Sequence, residues 1–226
     1  LACLALEVEF FGKAAHAAAH PEMGINALEA MLNSFTAINS LRQHIKDKAR
    51  IHGIITDGGE AANIVPAHSA GTFLVRAEDA TYLDELKEKV INCFMGAAIA
   101  SGARLEYKWG DISYAPMRNN LTLAQVFTKN MQSLGRQVEL SDPSKAFGST
   151  DMGNVSQLVP SIHPSVAIAP VEVTAHSPQF ASAAASEAGI QGLVDAAKTL
   201  AMTVVDLLAN PEIINQIKDE FHQKND

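Results

Sequence analysis

The order in which hydrophobic periodicity changes along residues 4–109 constrains this chain more than any other feature. Residues 4–11 alternate, with Leu4, Leu6, Val8 and Phe10 on one side and Glu7 and Glu9 on the other. That two-residue repeat is the mark of a half-buried strand, which Gly12 ends. From Pro21 a spacing of three and four residues, through Leu28, Met31, Leu32, Phe35, Ile38 and Leu41, predicts a helix. Two strands follow, around 50–57 and 69–77, joined by the turn-rich DGGEAANIVPAH. A second helix fits 80–100, with Leu83, Leu86, Val90, Ile91 and Phe94 on one face, and RLEYKW closes the series as a strand. The order β-α-β-β-α-β is of the ferredoxin-like kind, and residues 1–110 are expected to fold as one domain.

After Gly110 the rhythm changes. A helix fits 121–134 and stops at Gly135, and a Gly/Ser-rich stretch, AFGSTDMGNVS, follows. A short apolar strand, SVAIA, is expected at 165–169, then the loop PVEVTAHSPQF and two long helices split near Pro211. So few strands among these helices cannot close a sheet layer, so 111–226 reads as part of a larger α/β domain. An incomplete sheet exposes strand edges and apolar faces, which invites self-association.

Lys and Arg total 17 against 25 Asp and Glu, a net charge of −8. Phosphate neutralisation needs a basic stripe, so nucleic acid is excluded as the expected partner in favour of a small molecule or another subunit. Cys3 and Cys93 have no metal-binding or disulfide spacing, Cys93 reading as a small core residue, and a reducing cytoplasm is the expected setting. The apolar stretch 188–208 carries Asp195, Lys198 and Asp206 and is not a membrane span. LACLAL has no basic flank and runs into Glu7 and Glu9, so it does not read as a signal peptide. The chain opens on Leu1 inside a strand pattern, which leads us to expect further sequence upstream.

Five places could carry chemistry, each with a plainer alternative. His16, in GKAAHAAAHP, lies between a strand and a helix and could act on a ligand or merely cap the helix. Asn63, in GGEAANIVP, could donate its amide to a ligand or form an Asx turn before Pro66. Arg76 ends the apolar TFLVR and suits bidentate carboxylate recognition, or a surface ion pair; Arg118, in YAPMRNN, has the same two readings. Gly148, Ser149, Thr150 and Asp151 could form a nest of backbone N–H groups for an anion, or a simple loop. His176, in TAHSPQF, follows the expected strand at a position where a metal ligand can hang, although one histidine is not a site.

Read in order, GKAAHAAAHPEMGINALEA, IHGIITDGGEAANIVPAHSAGTFLVRA, GSTDMGNVS, PSIHP and TAHSPQF resemble the successive motifs of the M20 metallopeptidases. The branch most resembled is the amidohydrolase and dipeptidase group that includes aminobenzoyl-glutamate hydrolases. The resemblance implies an α/β catalytic domain interrupted by a ferredoxin-like lid that also mediates homodimerisation. Residues 1–110 would be the lid, and 111–226 the C-terminal part of the catalytic domain. It further implies that His16 reaches across the dimer to stabilise the oxyanion in the partner's site and that Asn63 contacts substrate in the same way. Arg76 would hold the substrate carboxylate, Gly148 and Ser149 would bind that end of the substrate, and Arg118 would lie on the substrate side. His176 would be the last ligand of a centre holding two divalent metals, zinc by resemblance. The family's remaining metal ligands and its general-base glutamate belong to an HxD segment and a Glu-Glu pair upstream of the lid, and this chain contains neither pattern. The expected function is therefore that of a fragment of a metal-dependent amidohydrolase or dipeptidase acting on a small amide or dipeptide, inactive alone. The alternative is a non-catalytic dimerisation or ligand-binding module.

Overall fold

The computed structural model describes residues 1–139 and 148–223. Strand β1 (Ala2–Phe11), helix α1 (Ala27–Leu41), strands β2 (Arg50–Asp57) and β3 (His68–Ala77), helix α2 (Ala80–Ser101) and strand β4 (Arg104–Trp109) follow one another in the expected order. The strands form an antiparallel sheet in the order β2-β3-β1-β4. β1 and β2 are joined through α1 with β3 between them, the split arrangement of a ferredoxin-like fold.

The alternation read in β1 is what the sheet uses. Leu4, Leu6, Val8 and Phe10 are buried while Glu7 and Glu9 are exposed. Phe73, Val75 and Ala77 of β3 continue the apolar face. Ala27, Ala30, Met31 and Ile38 of α1 and Leu83, Leu86, Val90, Ile91 and Phe94 of α2 close over it. α2 is capped by Asp79, whose carboxylate accepts from the Tyr82 N–H at 2.7 Å, and it ends at Gly102 with φ +76°.

The first helix begins later than its periodicity implied. Pro21–Met23 forms a separate 3₁₀ turn, and α1 starts at Ala27, where the Asn26 side chain accepts from the Glu29 N–H at 3.1 Å. Leu32 is exposed, because the stripe that meets the sheet includes the small residues Ala27, Ala30 and Ser34. A bulge interrupts β2: Ile55 faces Gly71 and Asp57 faces Ala70, leaving Thr56 as the extra residue. That insertion turns Asp57 from the helix-covered face to the other one, which also carries His52, His68 and Arg76.

The described residues divide into two units, residues 1–117 with 148–154, and 118–139 with 155–223. The segment after β4 stays with the first unit. Cys3 and Tyr114 exchange backbone hydrogen bonds at 3.0 and 2.9 Å, and the Asn154 amide clasps the Ala115 N–H and the Ser113 carbonyl at 2.8 and 2.9 Å. Gly153 makes this approach possible, since a Cβ there would fall 2.0 Å from the Ala115 oxygen.

In the second unit every described element is helical: α3 (Leu121–Ser133), the end of α4 (Met152–Leu158), α5 (Pro178–Ala184), α6 (Glu187–Ala209) and α7 (Pro211–Gln223). α3 ends as expected, with Gly135 at φ +83°, and Glu220 accepts from the Leu121 and Thr122 N–H groups at its start. The segment 165–169 is not a strand. It packs against α6, with Ile168 beside Gly192 and the Ala167 carbonyl accepting from Arg136, but no strand among the described residues of this unit pairs with it. α6 buries Asp195, Thr199 and Thr203 and exposes Ile190, Leu193, Leu200, Val204, Val205 and Leu208, the reverse of an ordinary amphipathic helix. No described helix is long and apolar enough to cross a membrane.

Candidate functional site

His16 and Asn63 are brought together by two loops zipped at the end of the sheet where β1 stops. The Gly12 N–H donates to the Ala67 carbonyl at 2.7 Å, and a Cβ on Gly12 would sit 2.1 Å from the Ile25 oxygen. Beyond it His16 bridges to Ile64, the Ala17 N–H donates to the Asn63 carbonyl at 3.0 Å, and the Val65 N–H to the Ala15 carbonyl at 2.9 Å. The His16 ring caps its own turn: Nδ1 accepts from the Ala18 and Ala19 N–H groups at 3.3 and 3.1 Å. In the neutral ring that arrangement leaves the proton on Nε2, as a donor. Both side chains are exposed, and a groove of about 390 Å³ lined by Asn26, Leu28, Glu60, Ile64 and Pro66 runs beside them.

Arg76 and Ser149 meet at the other end of the same sheet. The Arg76 Nη1 donates to Ser149 Oγ at 3.0 Å and its Nε to His52 Nε2 at 3.2 Å. Gly148 accepts from the Leu1 amino group at 3.0 Å. Ala146 and Phe147, which open the Gly/Ser-rich segment, lie outside the described residues. β3 from His68 to Arg76 separates the two clusters, and at roughly 3.3 Å per residue that is about 26 Å. Two extended residues of a substrate span only about 7 Å.

His68, at the start of β3, marks the first cluster electrostatically. Its Nδ1 lies 2.7 Å from Asp57 and its Nε2 2.9 Å from Glu9, with the Phe11 ring 5.1 Å away. The hydrogen bond to Asp57, then that to Glu9, holds the imidazolium above its ordinary value of 6.5. Asp57 is held low, first by the Gly59 N–H and then by His68. A raised folded-state value means that the stabilisation is full below the unfolded value and is lost as pH rises through the folded one. The stability gap between the wild type and His68→Ala is therefore expected to be larger at about pH 6 than at about pH 9 in urea unfolding. A gap that widens at the higher pH would contradict the network.

The remaining candidates, Arg118 and His176, lie in the second unit. The Arg118 N–H donates to Ser156 Oγ at 2.9 Å, its guanidinium stacks 4.3 Å from the Phe221 ring, and it donates to the Phe221 carbonyl. His176 is exposed on the loop before α5 and has φ +64°, the one non-glycine residue with positive φ among those described. Such backbone persists only where its surroundings enforce it. No group of three His, Cys, Asp or Glu among the described residues could hold a metal ion. One exposed imidazole does not by itself fit a metal centre, and no step of the chemistry is assigned to one.

Sequence reasoning missed His52 and the His68 network. His52 is diagonal to Arg76 across the β2-β3 ladder, a relation that appears only once Arg50 is known to pair with Arg76. Asp57 and His68 had a visible signal, since they begin and end the DGGEAANIVPAH turn.

Residues 3–99 match the family profile described as the M20 peptidase dimerisation domain. The chain is 37% identical over 222 residues to a Xaa-Arg dipeptidase of Mus musculus, covering 96% of this chain and 51% of the relative. It is 26% identical over 271 residues to a p-aminobenzoyl-glutamate hydrolase subunit of Escherichia coli (strain K12), covering 96% of this chain and 56% of the relative. The chain thus spans about half the length of these curated relatives. Among solved structures, aminopeptidase PepT from Bacillus cereus ATCC 10987 superposes with a TM-score of 0.57 at 17% identity, covering 88% of this chain and 52% of that one, a likeness of fold.

Proposed function

We propose, on the premise that this chain carries the dimerisation domain of the M20 peptidase family, that it is the lid and C-terminal part of a metal-dependent amidohydrolase or dipeptidase working as a homodimer. The substrate is a small amide or dipeptide with a free carboxylate beside the bond that is cut. Both relatives carry names of that chemistry, an Xaa-Arg dipeptide and p-aminobenzoyl-glutamate each being an amide of an amino acid.

The observation that carries this reading is the separation of the two clusters in one copy. The Arg76 guanidinium and Ser149 hydroxyl offer donors suited to a carboxylate. The Nε2 donor of His16 and the Asn63 amide suit a carbonyl oxygen gaining charge. A small substrate cannot reach both from one copy, whereas a symmetric pair can offer one cluster from each subunit. Arg118 has its substrate-side role by resemblance alone, its guanidinium being tied to α7. His176 would contribute one ligand to a zinc centre of two ions completed by residues beyond those described. The 226-residue chain alone is accordingly expected to be inactive, and hydrolysis of alanyl-arginine or N-acyl amino acids with added Zn²⁺, Mn²⁺ or Co²⁺ tests this. Robust turnover would overturn it. The free thiols of Cys3 and Cys93 favour a cytoplasmic setting.

Among the described residues the sheet has two unpaired edge strands, β2 and β4, and they differ. β4 alternates Arg104, Glu106 and Lys108, charges that discourage pairing, whereas β2 runs from Ile51 to Thr56 without an acidic or lysine side chain and exposes Ile54. The dimer is expected to form through β2, and Ile54→Lys should convert it to a monomer in light scattering. A variant that stays dimeric would exclude that edge.

A further inference from the structure

Arg76 is held from two sides, and only one of its holders belongs to the proposed substrate-binding set. Its Nη1 donates to Ser149 Oγ and its Nε to His52 Nε2, and among the described residues these bonds leave Nη2 and the second Nη1 hydrogen for a ligand. A guanidinium fixed at Nε is pre-set to present its two terminal nitrogens edge-on, the geometry a carboxylate takes in a bidentate pair. A side chain of this length otherwise loses much rotamer freedom on binding. His52 lies diagonally across the ladder from Arg76, so the strand register itself delivers the acceptor.

We infer that His52 is a positioning residue: as a neutral imidazole it accepts from Arg76 Nε and aims the guanidinium at the substrate carboxylate, which makes carboxylate binding dependent on pH. This rests on the reading of Arg76 proposed above. The cations that act on the ring, Arg76 on β3 and Arg42 after α1, both favour the neutral form, and Arg50 stands opposite Arg76 on β2. Desolvation first, then the Arg76 and Arg42 cations, hold His52 below its ordinary value of 6.5. Protonation removes the acceptor lone pair and sets a cation against the guanidinium. Carboxylate affinity therefore holds at neutral pH and falls as pH drops through the lowered His52 value.

Two substitutions separate positioning from structure. His52→Gln keeps an acceptor near the place of Nε2 but does not titrate, whereas His52→Leu keeps bulk without an acceptor. In the full-length enzyme with alanyl-arginine, wild-type KM is expected to rise toward acid pH. In His52→Gln it should stay near the neutral wild-type value and lose that rise. In His52→Leu it should be raised about tenfold at neutral pH, the size of one charge-assisted hydrogen bond, with kcat unchanged in both variants. A His52→Leu variant with wild-type KM, a loss confined to kcat, or an acid rise that survives in His52→Gln overturns the inference. A second readout needs no turnover. N-acetylglycine titrated into the 226-residue chain should shift the Arg76 Nε–H signal in NMR, with affinity about tenfold weaker in His52→Leu. Binding of this kind without hydrolysis by the full-length protein would sink the proposed activity and leave the role of His52 standing. Hydrolysis with no response at Arg76, or equal affinity in His52→Leu, would sink the role of His52 alone.

Discussion

Replacing His16 by alanine in the full-length enzyme is expected to lower kcat by about 10²–10³-fold while KM changes far less, the usual cost of removing one oxyanion donor. On the proposed role of His16 this loss is chemical rather than structural. His16 is exposed, and the strand-like pairing of its loop with 63–65 uses backbone groups that alanine retains. The ring itself contributes the Nδ1 bonds to Ala18 and Ala19, which settle which nitrogen carries the proton. Thermal unfolding of the variant should accordingly stay close to that of the wild type. A kcat within about threefold of the wild type would remove His16 from the chemistry.

The largest expected effect on stability is at Phe94. Its ring is fully buried, 5.0 Å from the Phe73 ring in an edge-on contact and 6.4 Å from that of Phe10, so it joins α2 to both central strands. Phe94→Ala should destabilise the first unit by about 3–5 kcal/mol, the sum of lost transfer free energy and an unfilled cavity. Urea unfolding of the 226-residue chain, followed by the tryptophan at position 109, measures it. A change under about 1 kcal/mol would mean that the helix layer does not depend on this contact.

The first unit was legible because its chemistry is local and repetitive. Leu4 to Phe10 alternate, Leu83 to Phe94 keep a helical step, and Gly102 stops α2, so each element announces itself without its neighbours. The start of α1 differs from its periodicity because Pro21 is as acceptable in a 3₁₀ turn as at a helix start, and the true cap, Asn26 with Glu29 three residues on, lies five residues further along. SVAIA has the composition of a strand, but a strand exists only with a neighbour, and none of the described residues of its unit supplies one.

The candidate site was legible residue by residue and not as an arrangement. Arg76 and Ser149 are 73 positions apart and touch, while His16 and Asn63 are joined through backbone pairing that no side-chain pattern reveals. His52 and Asp57 depend on register and on a bulge, and a one-residue slip in β2 would have put both on the other face. The inverted surface of α6 was hidden for a similar reason. Periodicity shows that a helix has an apolar side and leaves open whether that side is covered.

The most direct test of the central claim is a mixed dimer of His16→Ala and Arg76→Ala full-length subunits, co-expressed with different tags and isolated by sequential affinity steps. Each variant alone should be nearly inactive. If a working site takes His16 from one subunit and Arg76 from the other, the mixed dimer holds one intact site of two and should recover about half of the wild-type kcat. A mixed dimer no more active than either parent would contradict the shared site.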